Sequence, residues 1–166
     1  MKKGELTTML PSSPVVEWTN RERMVRVKIV AIDPSFIPEY KTSGSVCCDL
    51  LANLPDGPLT LSPGDVEKVD CGFSIQLPPD HEALIRTRSG LACKGIVCAG
   101  GIIDSDFRGP VKVILTNTGQ EPVLLKHKDR IAQMAVKPVW YFDFKPVDKL
   151  EETERGSGGF GSTGIC

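Results

Sequence analysis

The sequence predicts an all-β barrel or sandwich, and three observations carry that prediction. Short apolar runs recur along the chain, turn-forming residues separate them, and no long window keeps a clean helical period. The 16 glycines and 13 prolines among 166 residues point the same way, because both interrupt helices.

Taken in chain order, residues 1 to 23 are polar and proline-punctuated, and read as a flexible N-terminal arm. "MVRVKIVAID" then alternates, with Val25, Val27 and Ile29 on one face, as a half-buried strand does. The stretches "VEKVDCGFSIQL", "HEALIRTR", "GPVKVILTN" and "EPVLLKHKDRIAQMAVKPVWYF" read as further strands. Turn signals part them: Pro55-Asp56-Gly57-Pro58, Ser62-Pro63-Gly64-Asp65, Pro78-Pro79-Asp80 and Thr118-Gly119. One short helix fits, in "SGLACKG", and "AGGIIDSDFRGPVKV" reads as a hairpin-like segment. From "FKPVDKLEETERGSGG" onward the chain turns polar and leaves the body. The expected division is an N-terminal arm (1–23), a β-barrel (24–145) and a C-terminal arm with a glycine-rich segment (146–166).

Composition excludes several classes. With 40% hydrophobic and 25% charged residues a normal core can form. The net charge of −1, with Lys and Arg spread along the chain, leaves no basic footprint for duplex nucleic acid. No apolar run approaches the ~18 residues of a membrane span, and polar residues and prolines break the N-terminus before a signal segment forms. The six cysteines make no C-x-x-C pair, and His81 and His127 are far apart, so zinc is not indicated. Reduced, mostly buried thiols then imply a cytoplasmic or nuclear protein.

Four stretches carry more chemistry than turns require. "IRTRSGLACKG" sets Arg88, Ser89 and Gly90 just after a strand, a cation, a hydroxyl and open backbone suited to an anion; an ordinary strand exit with a solvated Arg reads equally. "AGGIIDSDFRGPVKV" offers glycines for close backbone approach, Asp104 as a partly buried base, and Phe107 as a pocket wall; a plain turn is its bland reading. "KDRIAQM" places Asp129, Arg130 and Gln133 on a strand, with Asp129 and Arg130 readable as a structural ion pair. "RGSGGFGSTG" can form an anion nest, or simply a flexible tail. It is not a Walker A loop, because no Lys follows the glycines. Together these groups suit a nucleoside polyphosphate better than a sugar or a peptide.

In this order, "SVCCDLLAN", "RSGLACKG", "GGIIDSDFRG", "KDRIAQM" and "RGSGGFGSTG" resemble the five motifs of the trimeric dUTP pyrophosphatase (dUTPase) family, over roughly residues 25 to 164. The tail most resembles the eukaryotic branch. The resemblance implies a distorted jelly-roll barrel and a homotrimer whose three active sites are each built from all three chains, closed by the C-terminal arm. It implies hydrolysis of dUTP to dUMP and pyrophosphate with Mg²⁺ on the triphosphate, limiting uracil in DNA and supplying dUMP for dTMP synthesis. Asp104 matches the general base, and Asp49 an aspartate near the hydrated metal. Arg88, Ser89, Gly90 and Gln133 match phosphate contacts. Gly101, Ile102, Ile103 and Lys112 match the backbone that reads uracil, and Phe107 matches a sugar-stacking tyrosine. In the arm, Arg155 matches a γ-phosphate contact, Phe160 a ring over uracil, and Gly161, Ser162 and Thr163 the phosphate wrap.

Five features depart from the family pattern: Cys47-Cys48 before the aspartate, Thr87 for Pro, Phe107 for Tyr, Lys128 for Gly, and a loop after Ser89 one residue short. Two other readings remain at this point. A dCTP deaminase shares the barrel but needs a Glu seven residues past the aromatic, where this chain has Ile114. A barrel retained only for nucleotide binding or regulation is the other.

Overall fold

The computed structural model describes residues 24–159. Ten strands, a single 3-10 turn and one short α-helix follow in order: β1 Lys28–Ala31, the 3-10 turn Pro34–Phe36, β2 Cys48–Leu51, β3 Leu59–Leu61, β4 Val66–Gln76, β5 His81–Arg86, α1 Ser89–Ala92, β6 Ile96–Ala99, β7 Ile102–Ile103, β8 Pro110–Asn117, β9 Val123–Leu125 and β10 Arg130–Pro138. One four-stranded sheet runs β1-β4-β8-β6 and a second runs β2-β10-β5-β7, with β3 and β9 as a separate pair. Every pairing is antiparallel. The fold is the jelly-roll-type barrel expected, with inner faces of both sheets meeting in one core.

Alternation in β8 shows how the sequence selects its face. Val111, Val113, Leu115 and Asn117 point inward and are buried, while Lys112, Ile114 and Thr116 face out. From the facing sheet, Leu50, Ala83, Ile85, Ala132 and Met134 complete the same core. Burying a side chain of the size of Leu115 contributes about 1.5–3 kcal/mol. Asn117 is the one fully buried polar side chain among the described residues, and its groups are satisfied. Its Nδ2 donates to Leu61 O and Glu121 O, both at 2.8 Å, and its Oδ1 accepts from Gly119 N at 2.9 Å. It therefore ties β3, β8 and the turn toward β9 together.

Register shifts shape the sheets. Between Asp70 and Ser74 the β4–β8 ladder slips, and Gly72 there has φ 73°. A Cβ at Gly72 would lie 2.7 Å from the Phe36 ring, so glycine is required. The turns at Ser62–Asp65 and Lys126–Asp129 are built alike. In each, the aspartate carboxylate accepts the first residue's N–H and the third residue has positive φ. Gly64 takes that position in one and Lys128 in the other, at φ 67°. The Lys128 strain, about 1–2 kcal/mol for an L-residue, is opposed by its N–H bond to Ala52 O at 2.7 Å and by its ammonium 5.5 Å from the Phe36 ring centre.

Several expectations are corrected. The first strand begins at Lys28, so Val25 lies outside it and is exposed. The long run from Glu121 to Phe142 divides at the Lys126–Asp129 turn into β9 and β10, and Trp140–Phe142 lie beyond the strand. The segment around Asp104 is not a hairpin: β7 pairs with β5, whereas β8 pairs with β4 and β6 in the other sheet. β2, β3 and β6 were not anticipated as strands, and β7 was anticipated only as an arm of that hairpin. Residues 1–23 and 160–166 lie outside the described residues, and with them the expected N-terminal arm, Phe160, Gly161, Ser162 and Thr163.

Candidate active site

Two pockets hold nearly all the candidate residues that the structure describes, and they share no lining residue. The first, about 340 Å³, is lined by Asp49, Arg88, Ser89 and Gln133, and by Lys41, Cys47 and Arg130 among others. These groups come from three distant stretches, and sheet register brings them together. Asp49 on β2 stands directly opposite Gln133 on β10, and Gln133 in turn stands opposite Arg86 at the end of β5. Two residues later the chain presents Arg88.

The side chains interlock. Arg88 Nε lies 3.0 Å from Asp49 Oδ1, and Arg130 Nη1 donates to Asp49 Oδ2 at 3.2 Å. Arg88 Nη1 donates to the Arg130 carbonyl at 2.9 Å, and Gln133 Nε2 to the Thr87 carbonyl at 3.0 Å. The Asp49 side chain is only 14% exposed, which strengthens its charge-assisted bonds relative to surface pairs. One carboxylate between two guanidiniums leaves a net positive pocket, so its chemistry is anion binding. The expected Asp129–Arg130 ion pair is not formed: Asp129 closes its turn on Lys126 N, and Arg130 turns to Asp49. Arg130 lines the pocket although the sequence reading gave it no functional role, as do Lys41, Ser45 and Val46.

The departures at this pocket have structural accounts. Cys48 points into the core and donates its thiol to Met134 O at 3.3 Å. Burial pushes that thiol up to about 11, so it stays protonated at neutral pH. Cys47 points the other way and lines the pocket. Thr87 keeps the carbonyl that Gln133 uses and adds a hydroxyl that accepts from Cys98 N at 2.8 Å, linking the end of β5 to β6.

The second pocket, about 310 Å³, is made mostly by backbone and apolar groups. Gly101, Ile102, Ile103, Asp104, Phe107 and Lys112 line it, with Lys68, Ile85 and Ile114 among the remainder. Gly101 has φ 104°, and its carbonyl accepts from Ile85 N at 2.7 Å. A Cβ there would stand 2.8 Å from Ile85 O, so only glycine allows β7 to approach β5 this closely. Asp104 is exposed in the single chain, not partly buried as expected, because it lies just past β7 where the segment leaves the sheet. Phe107 is 43% exposed and lies over Gly109, whose Cβ would meet its ring at 2.7 Å. At the position where a deaminase needs its Glu, apolar Ile114 lines the pocket.

The segment that runs from β10 into the arm carries Trp140, Tyr141, Phe142 and Phe144, each at least 75% exposed. Arg155 is exposed at its far end, with Nε donating to Gly158 O at 2.9 Å, so it lies in neither pocket. Gly90 is exposed in α1 and lines neither pocket. Among the described residues no three His, Cys, Asp or Glu side chains cluster to hold a metal, and no helix is long and apolar enough to cross a membrane.

Residues 33–164 match the dUTPase family. A deoxyuridine 5'-triphosphate nucleotidohydrolase of Roseobacter denitrificans is 49% identical over 131 residues, 77% of this chain and 86% of the relative. One from an Anaeromyxobacter species is 47% identical over 134 residues, 79% of this chain and 89% of the relative. Among solved structures, a variant dUTPase of Staphylococcus bacteriophage 80alpha with dUpNHpp is similar at TM-score 0.71 and 21% identity, covering 84% of this chain and 99% of that one. The native EIAV dUTPase is similar at TM-score 0.65 and 21% identity, covering 76% of this chain and all of that one.

Proposed function

Because the chain belongs to the dUTPase family and hydrolyses dUTP to dUMP and pyrophosphate, we propose that its two pockets divide the nucleotide between them. The Asp49–Arg88–Gln133 pocket takes the triphosphate, and the Gly101–Lys112 pocket takes uracil and deoxyribose. The carrying observation is that Asp49, Arg88 and Gln133, far apart in sequence, meet in one positive pocket.

Asp104 is the general base. Its carboxylate takes a proton from a water whose oxygen bonds to the α-phosphorus, while the bond from that phosphorus to the bridging oxygen breaks and pyrophosphate leaves. Such a step depends on a positioned water and on neutralised phosphate charge. Arg88, Ser89 and Gln133 supply the neutralising contacts in the first pocket, with Gly90 next to Ser89 in α1 adding a backbone contact. Backbone of Gly101, Ile102, Ile103 and Lys112 reads the uracil edge, and Phe107 stacks on the sugar. In the arm, Arg155 holds the γ-phosphate, Phe160 covers uracil, and Gly161, Ser162 and Thr163 wrap the phosphates.

Mg²⁺ fits this site only as a hydrated ion. Both Asp49 oxygens are engaged by arginines, so Asp49 would hold the ion through water, as suits a cation that dehydrates reluctantly. When bound, Mg²⁺ neutralises triphosphate charge.

The active assembly is a homotrimer with shared sites, the 146–166 arm closing over a neighbour. Two observations support this: one chain keeps its two half-sites in separate pockets, and the exposed Trp140, Tyr141, Phe142 and Phe144, on the segment that leads into the arm, need an apolar partner surface. Free thiols among the described residues suit a reducing cytoplasmic or nuclear setting.

The deciding experiment follows pyrophosphate from dUTP, with and without Mg²⁺, and ammonia from dCTP. Mg²⁺-dependent pyrophosphate release is expected. Ammonia would make the protein a deaminase, and absence of any turnover at micromolar enzyme would make it a binding protein.

A further inference from the structure

We propose that Arg130 is a positioning residue that keeps one nitrogen of Arg88 available to the substrate triphosphate. The inference rests on the phosphate-binding reading of this pocket and adds a residue to it.

Arg88 is held at two of its three nitrogens. Its Nε meets Asp49 Oδ1 at 3.0 Å, and its Nη1 donates to the Arg130 carbonyl at 2.9 Å. No described residue accepts from Nη2. Left alone, a carboxylate prefers to grip a guanidinium in a fork, with two parallel bonds. From its position on Nε, Asp49 would complete that fork by giving Oδ2 to Nη2. Arg130 prevents this by taking Oδ2 itself, at 3.2 Å. The carboxylate is thereby split between two arginines, and Nη2 of Arg88 remains for phosphate.

A local backbone irregularity makes this possible. In a regular strand, residues three apart face opposite sides. Between Arg130 and Ala132 the β10–β2 register slips, and Ile131 and Ala132 both turn inward. Arg130 and Gln133 therefore line the same pocket.

The test is steady-state pyrophosphate release by wild type, Arg130→Met, Arg130→Lys, Arg88→Ala and the Arg88→Ala/Arg130→Met double variant, with a melting curve for each. Wild-type turnover checks the underlying function independently, since its absence would remove that reading before Arg130 is considered. Losing a charge-assisted phosphate contact should raise KM for dUTP about tenfold in Arg130→Met with kcat within about threefold. Arg130→Lys, which can still hold Asp49 Oδ2, should return KM near wild type. The double variant should match Arg88→Ala alone, because Arg130 acts through Arg88. An unchanged KM in Arg130→Met, losses that multiply in the double variant, or a lysine that behaves like methionine would each overturn the proposal. If Arg130→Met melts below the assay temperature, Arg130→Ala alone and paired with Arg88→Ala carries the same comparison.

Discussion

The two pockets are made by different physics. The pocket proposed for the triphosphate is wired: side chains from β2, β10 and the β5 exit are held through ion pairs and hydrogen bonds of 2.9–3.2 Å. The pocket proposed for the base is shaped: a glycine-rich backbone approach and apolar walls form it, and its two distinctive side chains, Asp104 and Phe107, are exposed. Wiring tolerates an open pocket, because charge-assisted bonds hold long side chains in place before substrate arrives. Shape selects by exclusion, since a pocket built to pair a polar edge rejects a base that leaves the edge unmet.

Asp104→Asn tests whether the shaped pocket also holds the chemistry. It should lower kcat by about 10²-fold or more and leave dUTP binding nearly intact. Turnover close to wild type would move the base elsewhere, most directly into the wired pocket. Truncation before Arg155 asks whether two pockets suffice without the arm. It should abolish most turnover, and sedimentation should still find the trimer; monomers would make the arm an assembly element.

Gly101→Ala attacks shape directly. Positive φ and contact with the Ile85 carbonyl should cost about 1–3 kcal/mol, lowering Tm by roughly 3–10 °C. KM for dUTP should rise while Mg²⁺ dependence stays unchanged. A variant with wild-type Tm and KM would show that β7 yields easily, and the contrast between the pockets would fail.

The smallest expected effect concerns the core beneath both. Burial pushes Cys71 up to about 12 and Cys48 to about 11, from an ordinary 9.0. Above pH 9 the unfolded chain releases these protons and the folded chain retains them, so stability falls as pH rises toward 11–12. Each thiol contributes at most about 1.4 kcal/mol per pH unit in that window. Cys71→Ala should be less stable at pH 7 yet show a shallower alkaline decline in denaturant titrations. An equal slope would place the alkaline sensitivity elsewhere.

Much of the molecule was legible in the residues. Val111, Val113 and Leu115 alternate because one face of a strand is buried, and that period is written locally. Glycines marked turns because few other residues accept positive φ, as Gly64 and Gly57 do, and prolines because they fix φ and have no N–H to donate to a ladder. The five motifs, in order, were enough to indicate the family. Three strands of three or four residues, β2, β3 and β6, were missed because so short a run outside any longer apolar stretch holds no period to read.

What depended on the assembled fold was which distant residues meet. Nothing local indicates that β7 joins β5 while β8 crosses to the other sheet, so the hairpin reading of the Asp104 segment was reasonable and wrong. Asp129 and Arg130 are neighbours of opposite charge, yet the first closes a turn and the second reaches a carboxylate 81 positions away in the chain. Residue types set what each group can do, and local dihedral preferences set where strands start and stop. Partner choice comes from the pairing register, and here from a slip in β10 that turns Arg130 and Gln133 to one side. That register is settled by burying both sheets in one core, an energy that belongs to no single stretch of sequence.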